Sequence, residues 1–121
     1  MTNRILIIED NPDNMYLATF LLENAGFNII QAFDGKTGIE NAKSHVPDLI
    51  LLDIQLPIMD GYAVAKTLKA TDAIRHIPIV AVTSHAMAGD RETVMAAGCT
   101  GYMEKPINPE TFVAQIEGYL Q

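Results

Sequence analysis

Carboxylates are the side chains in this sequence best placed to do chemistry. Glu9 and Asp10 follow the apolar run Ile5-Leu6-Ile7-Ile8, and Asp53 follows Leu49-Ile50-Leu51-Leu52. A hydroxyl, Thr83, closes the run Ile77-Pro78-Ile79-Val80-Ala81-Val82, and an ammonium, Lys105, stands just before Pro106. Two unit charges ~4 Å apart near a protein surface repel by about 4 kcal/mol at an effective dielectric of 20. Three crowded acids therefore need a proton on one of them or a bound metal. An all-oxygen donor set suits Mg²⁺, which keeps several waters and bridges to phosphate. A carboxylate is also a competent nucleophile towards a phosphoryl group. Phosphoryl transfer mostly needs positioning and charge neutralisation, which a metal, Lys105 and the Thr83 hydroxyl can supply. Taken singly each residue is ordinary: loop acids are mostly solvated, and Thr83 and Lys105 are common strand and surface residues.

What gives them meaning is where the backbone must put them. The three apolar runs lack the alternation of half-exposed strands and read as strands buried on both faces, as in a helix-covered parallel sheet. Phe27 to Ala32 is more polar and reads as an edge strand, and Gly101-Tyr102-Met103 as a short fifth. Between them lie helical patterns. Asn11-Pro12 opens the first as cap and first-turn proline, Ala18, Leu21, Leu22 and Ala25 form its apolar face, and Gly26 ends it. Ile39, Ala42 and Val46 mark the second, stopped by Pro47; Asp60 caps a third with Val64, Ala65 and Leu68 inward. A fourth runs from about Gly89 to Ala97 and ends at Gly98; Asn108-Pro109 opens a fifth, with Phe112, Val113, Ile116 and Leu120 as its apolar face. Five strands alternating with five helices predict an α/β fold with a doubly wound parallel sheet. Such sheets bind ligands beyond the carboxyl ends of the strands, and every polar residue named above falls there.

Composition narrows the function. The chain has 121 residues, 49% of them apolar, which suits one domain with a sizeable core. No apolar run approaches the roughly 18 residues of a membrane span, and the N-terminal apolar run of four is too short for a signal peptide, so a cytoplasmic location is expected. A formal net charge of −7 without a Lys/Arg cluster argues against nucleic-acid binding. The lone cysteine, Cys99, reads as a small buried hydrophobe.

At this point the motifs resemble a known family. Ile7-Ile8-Glu9-Asp10-Asn11, Asp48 to Pro57, Met59-Asp60-Gly61, Ala81-Val82-Thr83 and Gly101 to Pro106 stand in the order and spacing of response-regulator receiver domains, the CheY-like superfamily. The likeness spans essentially residues 1–121, read as a single receiver domain. It implies a flavodoxin-like sheet of strand order 2-1-3-4-5 with five helices. It also implies that Asp53 is the phosphoacceptor, supplied by a phosphohistidine on a histidine kinase or histidine phosphotransfer protein. Asp10, Asp53 and the Gln55 carbonyl would ligate Mg²⁺ directly, and Glu9, where many receivers carry Asp, through a metal-bound water. Lys105 would pair with the phosphoryl group, across an expected cis bond to Pro106. Thr83 would move towards the phosphoryl group, with Tyr102 turning inward. Gln55 and His85, two residues beyond Asp53 and Thr83, would tune phosphate lifetime. The stretch Ser84 to Asp90, with Asn11 and Asn14, resembles hybrid-kinase receivers and the stand-alone DivK type.

The resemblance thus implies a signalling domain rather than an enzyme, one that assists its own phosphotransfer and slow autodephosphorylation. Its output would pass to a downstream protein through the face of the fourth helix, fifth strand and fifth helix, which includes Arg91, Glu92, Met95, Tyr102 and Glu104. The Met1 start leads to the expectation of a stand-alone protein; the alternative is a receiver segment of a hybrid kinase or multidomain regulator. A Mg²⁺-dependent aspartyl phosphatase of the haloacid-dehalogenase type fits worse, because Gln55 stands where that chemistry needs a second acid.

Overall fold

The computed structural model describes residues 3–84 and 88–120, with the side chains of residues 88–90 outside the description. Along the chain run β1 (Arg4–Ile8), α1 (Pro12–Asn24), β2 (Asn28–Ala32), α2 (Gly35–His45), β3 (Leu49–Asp53), α3 (Gly61–Lys69), β4 (Ile79–Thr83), α4 (Ala88–Ala96), β5 (Gly101–Glu104) and α5 (Phe112–Tyr119). The strands pair in parallel in the order β2-β1-β3-β4-β5, the order that the resemblance implies.

Alternation along each strand divides the core in two. Leu6, Ile8, Ile50, Leu52, Ile79 and Ala81 pack under Ile39 and Ala42 of α2, Val64 and Leu68 of α3 and Val94 of α4. Ile5, Ile7, Leu49, Leu51, Val80 and Val82 pack under Met15, Ala18 and Leu22 of α1 and Phe112 and Ile116 of α5. Because both faces are covered, β3 and β4 are apolar up to their last residues, Asp53 and Thr83, and β1 is apolar after Arg4. Among the described residues no helix is long and apolar enough to cross a membrane.

Several helix details differ from the sequence reading. Val46 is not on the apolar face of α2: it is the C-cap, in the left-handed region at φ 43°, and it is exposed. Pro47 follows it, and a residue before proline is disfavoured in the right-handed helical region, so the helix stops here. Ala25 likewise lies beyond α1 and is exposed, while Met15, one turn before Ala18, is buried. Asn108 accepts a bond from the Glu110 amide, but residues 109–111 form a turn and α5 begins only at Phe112. Leu120 caps that helix rather than belonging to it. Pro78 precedes β4, which starts at Ile79.

Candidate functional site

The strand registers bring the polar residues to one rim. Ile8 pairs with Leu52, Asp53 with Val82, and Thr83 with Glu104, so β1, β3, β4 and β5 end at neighbouring levels. Sheet order reverses between β1 and β3, which opens the crevice there. Glu9 stays tied to the sheet by donating its amide to the Ala32 carbonyl (3.0 Å). Asn11 caps α1 by accepting from the Asp13 (2.9 Å) and Asn14 (3.0 Å) amides, while its own amide donates to Glu9 Oε2 (3.2 Å). The segment after β3 is closed by the Gly61 amide donating to the Ile54 carbonyl, and the Ile54 amide donates across to Val82 (3.0 Å each).

Lys105 joins the two ends of the crevice. Its Nζ lies 3.1 Å from Asp53 Oδ2 and 3.3 Å from Glu9 Oε1. Its amide donates to the Thr83 carbonyl (2.8 Å), and the Lys105–Pro106 bond is cis. The other Asp53 oxygen, Oδ1, accepts from the Gln55 amide (3.0 Å). Asp53 is 2% exposed, Glu9 and Thr83 are buried, and Asp10 is exposed. Burial, then the hydrogen bond and charge of Asp53, push the Glu9 carboxyl up to about 7 from an ordinary 4.5, against the pull of the Asn11 amide and Lys105. For Lys105, burial acts downward but the charges of Asp53 and Glu9 outweigh it, and its ammonium is held above the ordinary value.

Glu9, Asp10 and Asp53 each offer a carboxylate oxygen, and these oxygens lie within 4.8 Å of one another. When all three are ionised, the single Lys105 charge leaves two negative charges over, which one divalent cation balances. The donors are all oxygen. The donor set fits Mg²⁺.

The structure also shows contacts that spacing did not reveal. Gln55 Nε2 donates to Thr83 Oγ1 (2.7 Å), and Gln55 Oε1 accepts from the Ser84 amide and hydroxyl (3.2 Å each). No sequence signal marks a side-chain pair 28 residues apart. Ile58, after β3, is fully exposed in the left-handed region at φ 66°. Tyr102 is half-buried against the α2–α3–α4 side of the core. His85 lies outside the described residues.

The doubly wound parallel sheet carries an acid cluster, a lysine and a threonine on its carboxyl rim. The family model of the response regulator receiver domain matches residues 5–117, and the chain belongs to that family. It is 44% identical over 120 residues to the polar-differentiation response regulators DivK of Brucella ovis and of Brucella anthropi, covering 99% of this chain and 98% of theirs. Its fold is similar to that of chemotaxis response regulator CheY4 of Vibrio cholerae, with TM-score 0.94 and 25% identity over 99% of this chain and 100% of that one. It is also similar to the receiver domain of sensor histidine kinase PA1611 from Pseudomonas aeruginosa, whose structure has a magnesium ion coordinated in the active site cleft. That likeness has TM-score 0.90 and 31% identity over 99% of this chain and 98% of that one. The chain is thus a DivK-like receiver domain of two-component signalling.

Proposed function

We propose that Asp53 accepts a phosphoryl group from a phosphohistidine on a histidine kinase or histidine phosphotransfer protein. A carboxylate oxygen of Asp53 forms the new O–P bond, the histidine N–P bond breaks, and the imidazole leaves with that electron pair. The observation that carries this reading is the buried Asp53 carboxylate, fixed at one oxygen by Lys105 (3.1 Å) and at the other by the Gln55 amide (3.0 Å). Two donors just beyond the ends of β3 and β5 orient the nucleophile, and positioning is most of what phosphoryl transfer needs. Asp10, Asp53 and the Gln55 carbonyl would hold Mg²⁺, with Glu9 acting through a metal-bound water. When bound, the ion neutralises charge on the transferred oxygens. Lys105 pairs with the same oxygens.

Phosphorylation adds about −1.5 to −2 charge at one point. Thr83 donates to the new acceptor oxygens, Tyr102 turns further inward, and the α4–β5–α5 face changes for a downstream protein. Gln55 and His85 tune how long the phosphate survives its slow autodephosphorylation. The alignment, which covers 98% of the length of DivK of Brucella ovis, supports reading residues 1–121 as a single receiver domain. Incubation with acetyl phosphate and Mg²⁺, read by intact mass, tests the assignment: wild type gains one phosphoryl group and Asp53→Asn gains none. Equal labelling of Asp53→Asn overturns it.

A further inference from the structure

The Gln55 side chain joins the segment after β3 to the segment after β4, and its amide orientation is fixed by chemistry. The Ser84 backbone N–H can only donate, so the atom facing it is Oε1, and the atom 2.7 Å from Thr83 Oγ1 is Nε2. Thr83 is therefore the acceptor in this bond. Thr83 is 1% exposed, where a polar atom depends on protein partners. The Ser84 hydroxyl adds a third bond to the same carboxamide. Meanwhile the Gln55 amide donates to Asp53 Oδ1, so a single residue touches the phosphoacceptor with its backbone and the switch hydroxyl with its side chain.

We propose that Gln55, through its carboxamide, is a positioning residue that clasps Thr83 and Ser84 and holds these two residues in their unphosphorylated arrangement. The proposal rests on the reading of Asp53 as phosphoacceptor and of Thr83 as the hydroxyl that answers it. Thr83 can move towards a phosphoryl group only by stretching or breaking the bond to Nε2, and Ser84 leaves Oε1 with it. The clasp thus sets the resting bias of the switch, separately from any effect of Gln55 on phosphate hydrolysis.

The test is the backbone amide spectrum of the full chain without a phosphodonor, read against the line joining wild type free and wild type with beryllofluoride and Mg²⁺. Tyr102 and α5 are the reporters because they belong to other elements than the segments that carry the substitutions. Gln55→Met keeps the length and removes all three bonds; its reporters are expected to move along that line towards the beryllofluoride end. The expected change in population ratio is roughly three- to tenfold, the scale of one net hydrogen bond. Ser84→Ala, at an exposed position, removes one bond and is expected to move the reporters the same way by less. Reporters that coincide with wild type in both variants, or leave the line, overturn the clasp. Should Gln55→Met not fold, Ser84→Ala decides alone. Failure of wild type to gain mass from acetyl phosphate sinks the phosphoacceptor reading instead, so the two failures are distinguishable.

Discussion

Replacing Glu9 by Gln should change the pH dependence of stability in a direction the site geometry dictates. At an effective dielectric of 20, Lys105 at 3.3 Å attracts an ionised Glu9 by about 5 kcal/mol. Asp53, with a carboxylate oxygen within 4.8 Å, repels it by about 3.5 kcal/mol or more. The small remainder does not offset burial, so the carboxyl rises to about 7. Its folded value exceeds its unfolded one, so the folded state binds more protons between about pH 4.5 and 7. The stability this contributes is present below pH 4.5 and is lost as pH rises through about 7. At 1.36 kcal/mol per pKa unit the ceiling is about 3 kcal/mol; residual water contact and salt bring the expected value to about 1–2 kcal/mol. Gln has the same shape without the charge, can donate to Asp53 and can accept from Asn11. Urea unfolding in EDTA should show Glu9→Gln within about 0.5 kcal/mol of wild type at pH 5 and about 1–2 kcal/mol more stable at pH 8.5. Saturating Mg²⁺ should erase most of that advantage by stabilising wild type. An equal difference at pH 5 and pH 8.5 would refute the reasoning.

Three further outcomes follow from the backbone. A Cβ at Gly61 would lie 2.5 Å from Ile54 Cα and 2.6 Å from the Asp53 carbonyl, both backbone atoms. Gly61→Ala should therefore cost about 1–3 kcal/mol by chemical denaturation and slow labelling of Asp53, while Gly118→Ala, with nothing within 4 Å, should stabilise by up to about 1 kcal/mol. Val46→Asn relieves a β-branched residue from φ 43° at an exposed helix end and should raise stability by about 0.5–1 kcal/mol; a loss of stability on urea unfolding would contradict the strain argument.

The layered fold was legible because its signals are local. Ile5 to Ile8, Leu49 to Leu52 and Ile79 to Val82 are apolar at every position, and only a strand covered on both faces needs that. Caps at Asn11 and Asp60, and glycines 26 and 98 at positive φ, punctuate the helices through their own backbone chemistry. Local signals also misled: Val46 fits the apolar period of α2, yet the helix ends at His45 and Val46 is its exposed cap. Asn108-Pro109 has the composition of a helix start, yet it forms a turn that ends before Phe112.

The types and strand-end positions of Glu9, Asp10, Asp53, Thr83 and Lys105 were set by the sequence itself, because a strand's end is a local property. What only the tertiary structure decided is who touches whom. Lys105 takes up both Asp53 and Glu9, Glu9 is buried enough to hold its proton near neutrality, and Gln55 reaches Thr83 and Ser84. These facts depend on parallel register and on distances between strands far apart in the chain, which side-chain spacing along one chain does not encode.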